Sequence, residues 1–358
     1  MILKQIALLN FRNYTEASFS LHPAGNLIIA PNGSGKTNLL EAMAYCGLGK
    51  SVHFHRDAEL QRVGAEAFAV KGDFKDDSGL DLKLQISWQQ GRKLLKINAL
   101  PVRQLSRVYE CVKVIYSAPE DVNLVGGNPR FRRQYFDLAI AQIFPAYISL
   151  LREYLHVVEQ RNTLLKRIYQ PSEMRSWDRK FADLLLEVAA YRHKYLKLLN
   201  DAFRGPYTQI SPSVQELGLR YCTQHHDQYP PDQAGVLNLL AGWAEREKRY
   251  QRTLIGAHLD DYSFLLAGHN LKTYGSQGQK RITVIVIKLI QAALIENLTG
   301  IRPILLLDDV FAELDDLHTQ RIRKLIDNRF QLFIASPRDS LSQEWPDLER
   351  LELPEPAA

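Results

Sequence analysis

Three short stretches of the chain carry residue types whose spacing can do phosphate chemistry. Ala30-Pro-Asn-Gly-Ser-Gly-Lys-Thr37 follows the apolar run Leu27-Ile28-Ile29 and precedes Leu39, Leu40 and Met43 at helical spacing. Small residues there let backbone N–H groups close around phosphate oxygens, with Lys36 reaching the β and γ phosphates and Thr37 holding Mg²⁺. A chance Gly-rich turn would match this loosely in on the order of a few per cent of chains of this length, and the strand-loop-helix context lowers that figure. The second stretch, Ile304-Leu-Leu-Leu-Asp-Asp309, is an apolar strand ending in acid. There Asp308 is placed to hold Mg²⁺ through water and Asp309 to orient or deprotonate an attacking water. Many parallel strands end in acid, so the second stretch has force only beside the first; together, with Lys36, Asp308 and Asp309 as catalytic candidates, they point to ATP hydrolysis. The third, Tyr274-Gly-Ser-Gln-Gly-Gln-Lys-Arg281, opens a long apolar run, and a Ser-x-Gly-Gln turn at a helix N-terminus offers backbone donors and a dipole to an anion.

These motifs need a frame to hold them. The first thirty residues read as strands (Ile6, Leu8 and Leu9; Phe19 and Leu21; Leu27 to Ile29), and Asp73 to Val102 alternates like a β-hairpin or small antiparallel sheet. The apolar run from Ile282 to Leu298 lacks a breaker and reads as a buried helix. Beyond Phe136 the spacing turns helical: Leu151, Leu155, Val158, Asn162, Leu165 and Tyr169 form one heptad seam, and Trp177, Phe181, Leu184, Val188, Tyr191, Tyr195 and Leu198 a second across a turn at Pro171. Arms of about 35 to 40 Å are expected, too short for a rod. Gly205 to Gln233 reads as irregular, and His225-His226 near Cys222 lacks a known metal-ligand spacing. Most of the chain separates Thr37 from Asp308, so a whole domain is inserted into the nucleotide fold. The expected division is a head of residues 1–135, a helical arm of 136–249 and the rest of the head in 250–358.

With 46% hydrophobic and 24% charged residues, the 358-residue chain is not disordered, collagen-like or a coiled coil throughout. Three scattered cysteines argue against a disulfide framework, and the N-terminus lacks the regions of a signal peptide, so a cytoplasmic protein without a membrane span is expected. The net charge of +5 is concentrated: Arg130 to Arg204 holds 14 Lys and Arg against 8 Asp and Glu. Such a segment suits a phosphate-rich partner, or is an ordinary solvated helical surface. Arg161, Lys166, Arg167, Arg175, Arg179 and Lys180 crowd the hairpin tip and are the candidates for phosphate contact.

Ser276-Gln-Gly-Gln279 resembles the signature motif of ABC-type ATPases, and its full setting resembles the RecF family of bacterial recombination-repair proteins. Asn10-Phe-Arg-Asn-Tyr14, Arg56 to Leu60, Ser117 to Asp121, Arg132 to Asp137 and Leu307 to Asp315 agree with that family, so the resemblance covers essentially the full length. It implies an α/β, ABC-type P-loop head with an SMC-like split, an antiparallel β-subdomain and an inserted helical hairpin. It implies ATP held by Arg12, by Ala30, Pro31, Asn32, Gly33, Ser34, Gly35, Lys36, Thr37 and Asn38, and by Ser276, Gly278 and Gln279, with Mg²⁺ on Thr37 and Asp308. It further implies slow, DNA-stimulated hydrolysis in an ATP-dependent homodimer that clamps double-stranded DNA and single-strand/double-strand junctions. The partners would be RecR and RecO, in placing RecA during repair, replication and the SOS response. Ala30 stands where the family has Gly; Gly256-Ala-His-Leu-Asp-Asp261 lacks the family's Pro and Arg; Glu120 stands near the usual Q-loop Gln; and Ile334-Ala-Ser-Pro337 lacks a transporter-type switch histidine. An SMC-like structural tether is the alternative, disfavoured by the short hairpin. The basic insert speaks against a transporter ATPase, and the lack of room for a second metal-binding domain against a nuclease.

Overall fold

A computed structural model describes the chain apart from residues 54–55, 204, 211–215, 224–227, 312–313, 327–329 and 355–358. It divides into two compact units, Met1–Asp121 with Gln209–Ser211 and Ile285–Ala358, and Val122–Thr208 with Pro212–Val284. The expected boundaries at 135 and 250 both lie inside the second unit.

In the first unit a parallel sheet runs in the order Glu349–Arg350, Gly25–Ile29, Leu332–Ser336, Ile304–Asp308, Val114–Ser117. The inner strands are buried almost without interruption, which is why they read as continuous apolar runs. An antiparallel sheet follows the order Tyr14–Ser20, Ile2–Phe11, Ala67–Lys75, Asp81–Gln89, Arg92–Ile97, Leu100–Val102, matching the expected β-subdomain. Between the sheets lies the helix Lys36–Leu48, buried on nearly every side. Its Tyr45 ring sits 5.6 Å from Phe68 and 6.0 Å from Phe11, and Phe68 stacks on Trp88. Burying each such ring contributes about 2 to 3 kcal/mol, so the helix that begins at Lys36 is fixed by its packing rather than by propensity.

The second unit is built on the helices Pro129–Ile143, Ala146–Leu165, Pro171–Ala202 and Gln233–Tyr250. The expected hairpin is present, but its arms are unequal: 20 and 32 residues, or about 30 and 48 Å. On the shorter arm the buried face is Tyr147, Tyr154, Val157, Val158, Arg161, Leu164 and Leu165, while Leu155 is 47% exposed. The apolar spacing misplaced this face because a buried arginine occupies part of it. Residues read as irregular include a strand, Leu217–Cys222, which pairs antiparallel with Asp261–Leu266. The Phe136 ring centroid lies 4.0 Å from that of Tyr262 on that second strand, tilted by 34°, one of the contacts that join Pro129–Ile143 to Asp261–Leu266 in this unit. His225 and His226 lie outside the described residues.

The helix Gln277–Thr299 carries residues of both units and, among the described residues, is long and apolar enough to cross a membrane by length and composition. That departs from the expectation of no such segment; 61% of its most apolar window is buried inside the fold.

Candidate active site

The central strand Leu332–Ser336 ties the phosphate loop to the acidic strand. Its Ser336 carbonyl accepts from Ala30 N at 3.3 Å and its Ala335 carbonyl from Asp309 N at 2.9 Å. Thus the two stretches that stand far apart in sequence leave the same sheet edge on either side of one strand. The loop then turns through Gly33 and Gly35, at φ of 83° and 99°, a backbone region that side chains resist. A Cβ on Gly35 would stand 2.7 Å from Asn13 Nδ2, and the Tyr14 hydroxyl donates to the Gly35 carbonyl at 3.1 Å. Asn38 Nδ2 donates to Asn13 Oδ1 at 2.7 Å. Asn13 and Tyr14, not singled out individually in the sequence, therefore buttress the loop from the first β-turn.

Lys36 Nζ donates to the carbonyls of Ala30 and Pro31 at 2.6 and 2.7 Å, curling back along its own loop. Burial pulls its pKa below the ordinary lysine value, opposed by the carboxylates of Asp309 and Asp308. The Asp308 carboxyl is pushed up, chiefly by burial, with the Thr37 and Tyr116 hydroxyls holding it down. Tyr116 donates to Asp308 Oδ2 at 2.9 Å. Asp309 adopts φ of 51°, so the chain turns sharply where the strand ends. Among the described residues, Ser34 Oγ, Asp308 Oδ1 and Asp309 Oδ1 are buried without a hydrogen-bond partner in the chain. Buried polar oxygens are ordinarily paired. Two carboxylate oxygens suit a hard divalent cation, a loop hydroxyl and cradled backbone suit phosphate, and this donor set fits Mg²⁺ with a nucleoside triphosphate.

Arg12 differs from the other expected contacts. Its Nε and Nη2 grip Glu41 at 2.8 and 3.2 Å, and Nη1 donates to the Glu59 carbonyl at 2.9 Å. Glu41 is 1% exposed and also accepts from Ser51, so Arg12 anchors the loop helix in this conformation. Further groups around Asp308 escaped the sequence reading. The Tyr116 hydroxyl lies 3.2 Å from His53 Nε2, and Lys288 Nζ donates to the Tyr116 carbonyl at 2.6 Å while pairing with Asp121 at 3.1 Å. The available signals were a polar aromatic ring in the apolar strand Val114–Ser117 and a lysine interrupting an apolar helix.

Ser276, Gly278 and Gln279 belong to the second unit. Gln279 N donates to Ser276 Oγ at 3.2 Å and Ser276 N to Gln279 Oε1 at 2.9 Å, a reciprocal cap at the start of the helix. Ser276 and Gly278 are exposed. The same unit explains two other quoted stretches. Arg132 grips Asp261 at 2.6 and 2.8 Å, Arg133 donates to the Asp260 carbonyl at 2.7 Å, and buried Arg192 pairs with Asp137 at 2.9 Å. Arg132 to Asp137 and Gly256 to Asp261 thus bind each other as a structural hub. Arg161 is also structural: 2% exposed, it bonds Asp178, Thr253 and Glu247 at 2.9, 2.7 and 2.8 Å. The expectation that it contacts phosphate is therefore corrected; a guanidinium surrounded by two carboxylates has no solvent face to offer.

The RecF/RecN/SMC N-terminal domain family matches residues 2–353. The chain is 34% identical to the DNA replication and repair protein RecF of Halalkalibacterium halodurans, over 94% of this chain and 92% of that protein. It is 32% identical to the protein of the same name from Staphylococcus aureus, over 94% and 93%. Among solved structures, the recombination mediator protein RecF-ATP in the RecFOR pathway superposes with a TM-score of 0.88 at 29% identity, covering 95% of this chain and 92% of the other.

Proposed function

Because the chain belongs to the RecF family of DNA replication and repair proteins, with the ABC-type ATPase head of SMC proteins, we propose that it is an ATP-dependent DNA clamp of recombinational repair. ATP lies along Ala30 to Asn38. Thr37 and Asp308 hold Mg²⁺, which neutralises phosphate charge, and Asp309 orients the attacking water. The observation that carries this reading is the convergence of unpaired Ser34, Asp308 and Asp309 oxygens beside Lys36. For Lys36 to reach a phosphate it exchanges its two carbonyl partners for phosphate oxygens, a swap that keeps the ammonium solvated throughout.

Hydrolysis is slow, stimulated by DNA, and opens a homodimer in which Ser276, Gly278 and Gln279 of one chain face the γ-phosphate bound by the other. The dimer grips double-stranded DNA and single-strand/double-strand junctions in the cytoplasm, and acts with RecR and RecO in placing RecA. The ATP-bound RecF structure supports the nucleotide, and the RecFOR pathway in which that protein acts supports the partners. Exposed Lys166, Arg167, Arg175, Arg179 and Lys180 serve as backbone contacts, without Arg161. Two variants test the chemistry. Lys36→Arg, whose planar guanidinium cannot replace a compact ammonium, abolishes hydrolysis. Asp309→Asn keeps ATP binding and blocks turnover, trapping the bound state. Wild-type hydrolysis rates in both variants would refute the proposal.

A further inference from the structure

We propose that Tyr116 and His53 form a donor relay that sets the orientation of Asp308 for its cation, an inference that rests on the nucleotide site proposed above. The Tyr116 hydroxyl has one proton, and it is donated to Asp308 Oδ2 at 2.9 Å. Its oxygen must therefore accept from the imidazole 3.2 Å away, which assigns the proton to His53 Nε2. The two rings meet edge to face with centroids 5.5 Å apart, so packing as well as hydrogen bonding holds the pair. The phenol has little freedom. Tyr116 is paired with Leu306 in the register of the parallel sheet, two residues before Asp308, and its carbonyl is held by Lys288.

The consequence falls on Asp308. Oδ2 accepts from Tyr116, the Thr37 hydroxyl also stabilises the carboxylate, and Oδ1 is the oxygen left unpaired for a cation. Partners of this kind keep a ligand in a single rotamer and polarise it, and losing them typically weakens metal binding about 10- to 100-fold. Tyr116 and His53 act through Asp308 and are positioning residues. His53 brings a ring N–H donor from the segment after the loop helix. The relay thus joins that segment to the acidic strand.

The test is a titration of full-length protein with a fluorescent ATP analogue, first in EDTA and then at rising free Mg²⁺, with thermal melts as the folding control. Wild type binds the analogue more tightly as Mg²⁺ rises. Tyr116→Phe binds it equally well in EDTA, since the phosphate loop is untouched, but needs about tenfold more Mg²⁺ to reach the midpoint. His53→Gln retains an N–H donor and stays near wild type, whereas His53→Leu moves toward Tyr116→Phe. A Tyr116→Phe curve that overlays wild type overturns the relay. If that variant does not fold, an unchanged Mg²⁺ midpoint in His53→Leu overturns it alone. A wild-type protein whose nucleotide binding ignores Mg²⁺ overturns instead the site on which the relay rests.

Discussion

At Asp309 the chain holds a left-handed backbone, φ 51°, with one carboxylate oxygen buried and unpaired. Asp tolerates this region better than branched residues do, but the conformation still costs about 1 kcal/mol. Replacement by Gly is therefore expected to stabilise the first unit by about 0.5 to 1 kcal/mol while abolishing turnover, and Asp309→Val to lose both activity and about 1 to 2 kcal/mol. Denaturant melts beside an ATPase assay check this; a Gly variant that is markedly less stable would contradict the strain argument. The candidates Lys36, Asp308 and Asp309 can be singled out from residue type and order alone, and the structure brings the lysine within electrostatic reach of both acids. Tyr116, His53 and Lys288 cannot be, since nothing local in the chain says which distant strand will lie beside Asp308.

The helices of the second unit were legible as a hairpin but not in their buried face. Apolar periodicity cannot count a buried ion pair, and Arg161 between Asp178 and Glu247 occupies a core position. Arg161→Ala leaves two carboxylates without their partner and is expected to cost about 3 to 5 kcal/mol, seen as faster hydrogen exchange at the hairpin. By contrast, reversing Lys166, Arg167, Arg175 and Arg179 together should leave exchange near wild type. Duplex binding should then weaken similarly for all sequences, with a shallower salt dependence. DNA affinity unaffected by the four reversals would reduce the tip to a solvated end. A second element-level expectation concerns His258, beside Tyr154 Oη at 2.9 Å and near Arg161, Arg133 and Arg192. Burial pulls its pKa from the ordinary imidazole value of 6.5 down to about 4. The unfolded chain thus binds the extra proton first, so stability is full above about pH 6.5 and falls as pH drops toward about 4, by an order of 2 to 3 kcal/mol. His258→Gln should flatten that slope in pH-dependent melts of the helical unit; an unchanged slope would assign it to other groups.

For the whole molecule, spacing alone says nothing of a second copy: the proposal that the signature turn, most of the chain away from the phosphate loop, works on another subunit comes from the family resemblance. Ser276 and Gln279 cap each other, so the turn is preformed, while Ser276 and Gly278 remain exposed. A Ser276→Arg protein should bind ATP as a monomer, because its own loop is intact, and fail to dimerise, because a bulky cation fills the closed interface. The most direct test is sedimentation velocity of wild type and Ser276→Arg, each with and without ATP, and of a mixture of Ser276→Arg with Lys36→Arg. The account predicts a wild-type monomer that becomes a dimer only with ATP, and a Ser276→Arg protein that stays monomeric. In the mixture, a heterodimer would carry both lesions in one composite site and none in the other, so any hydrolysis recovered there would come from a site shared by two chains. An oligomeric state indifferent to ATP, or a Ser276→Arg protein that dimerises and hydrolyses as wild type does, would contradict it.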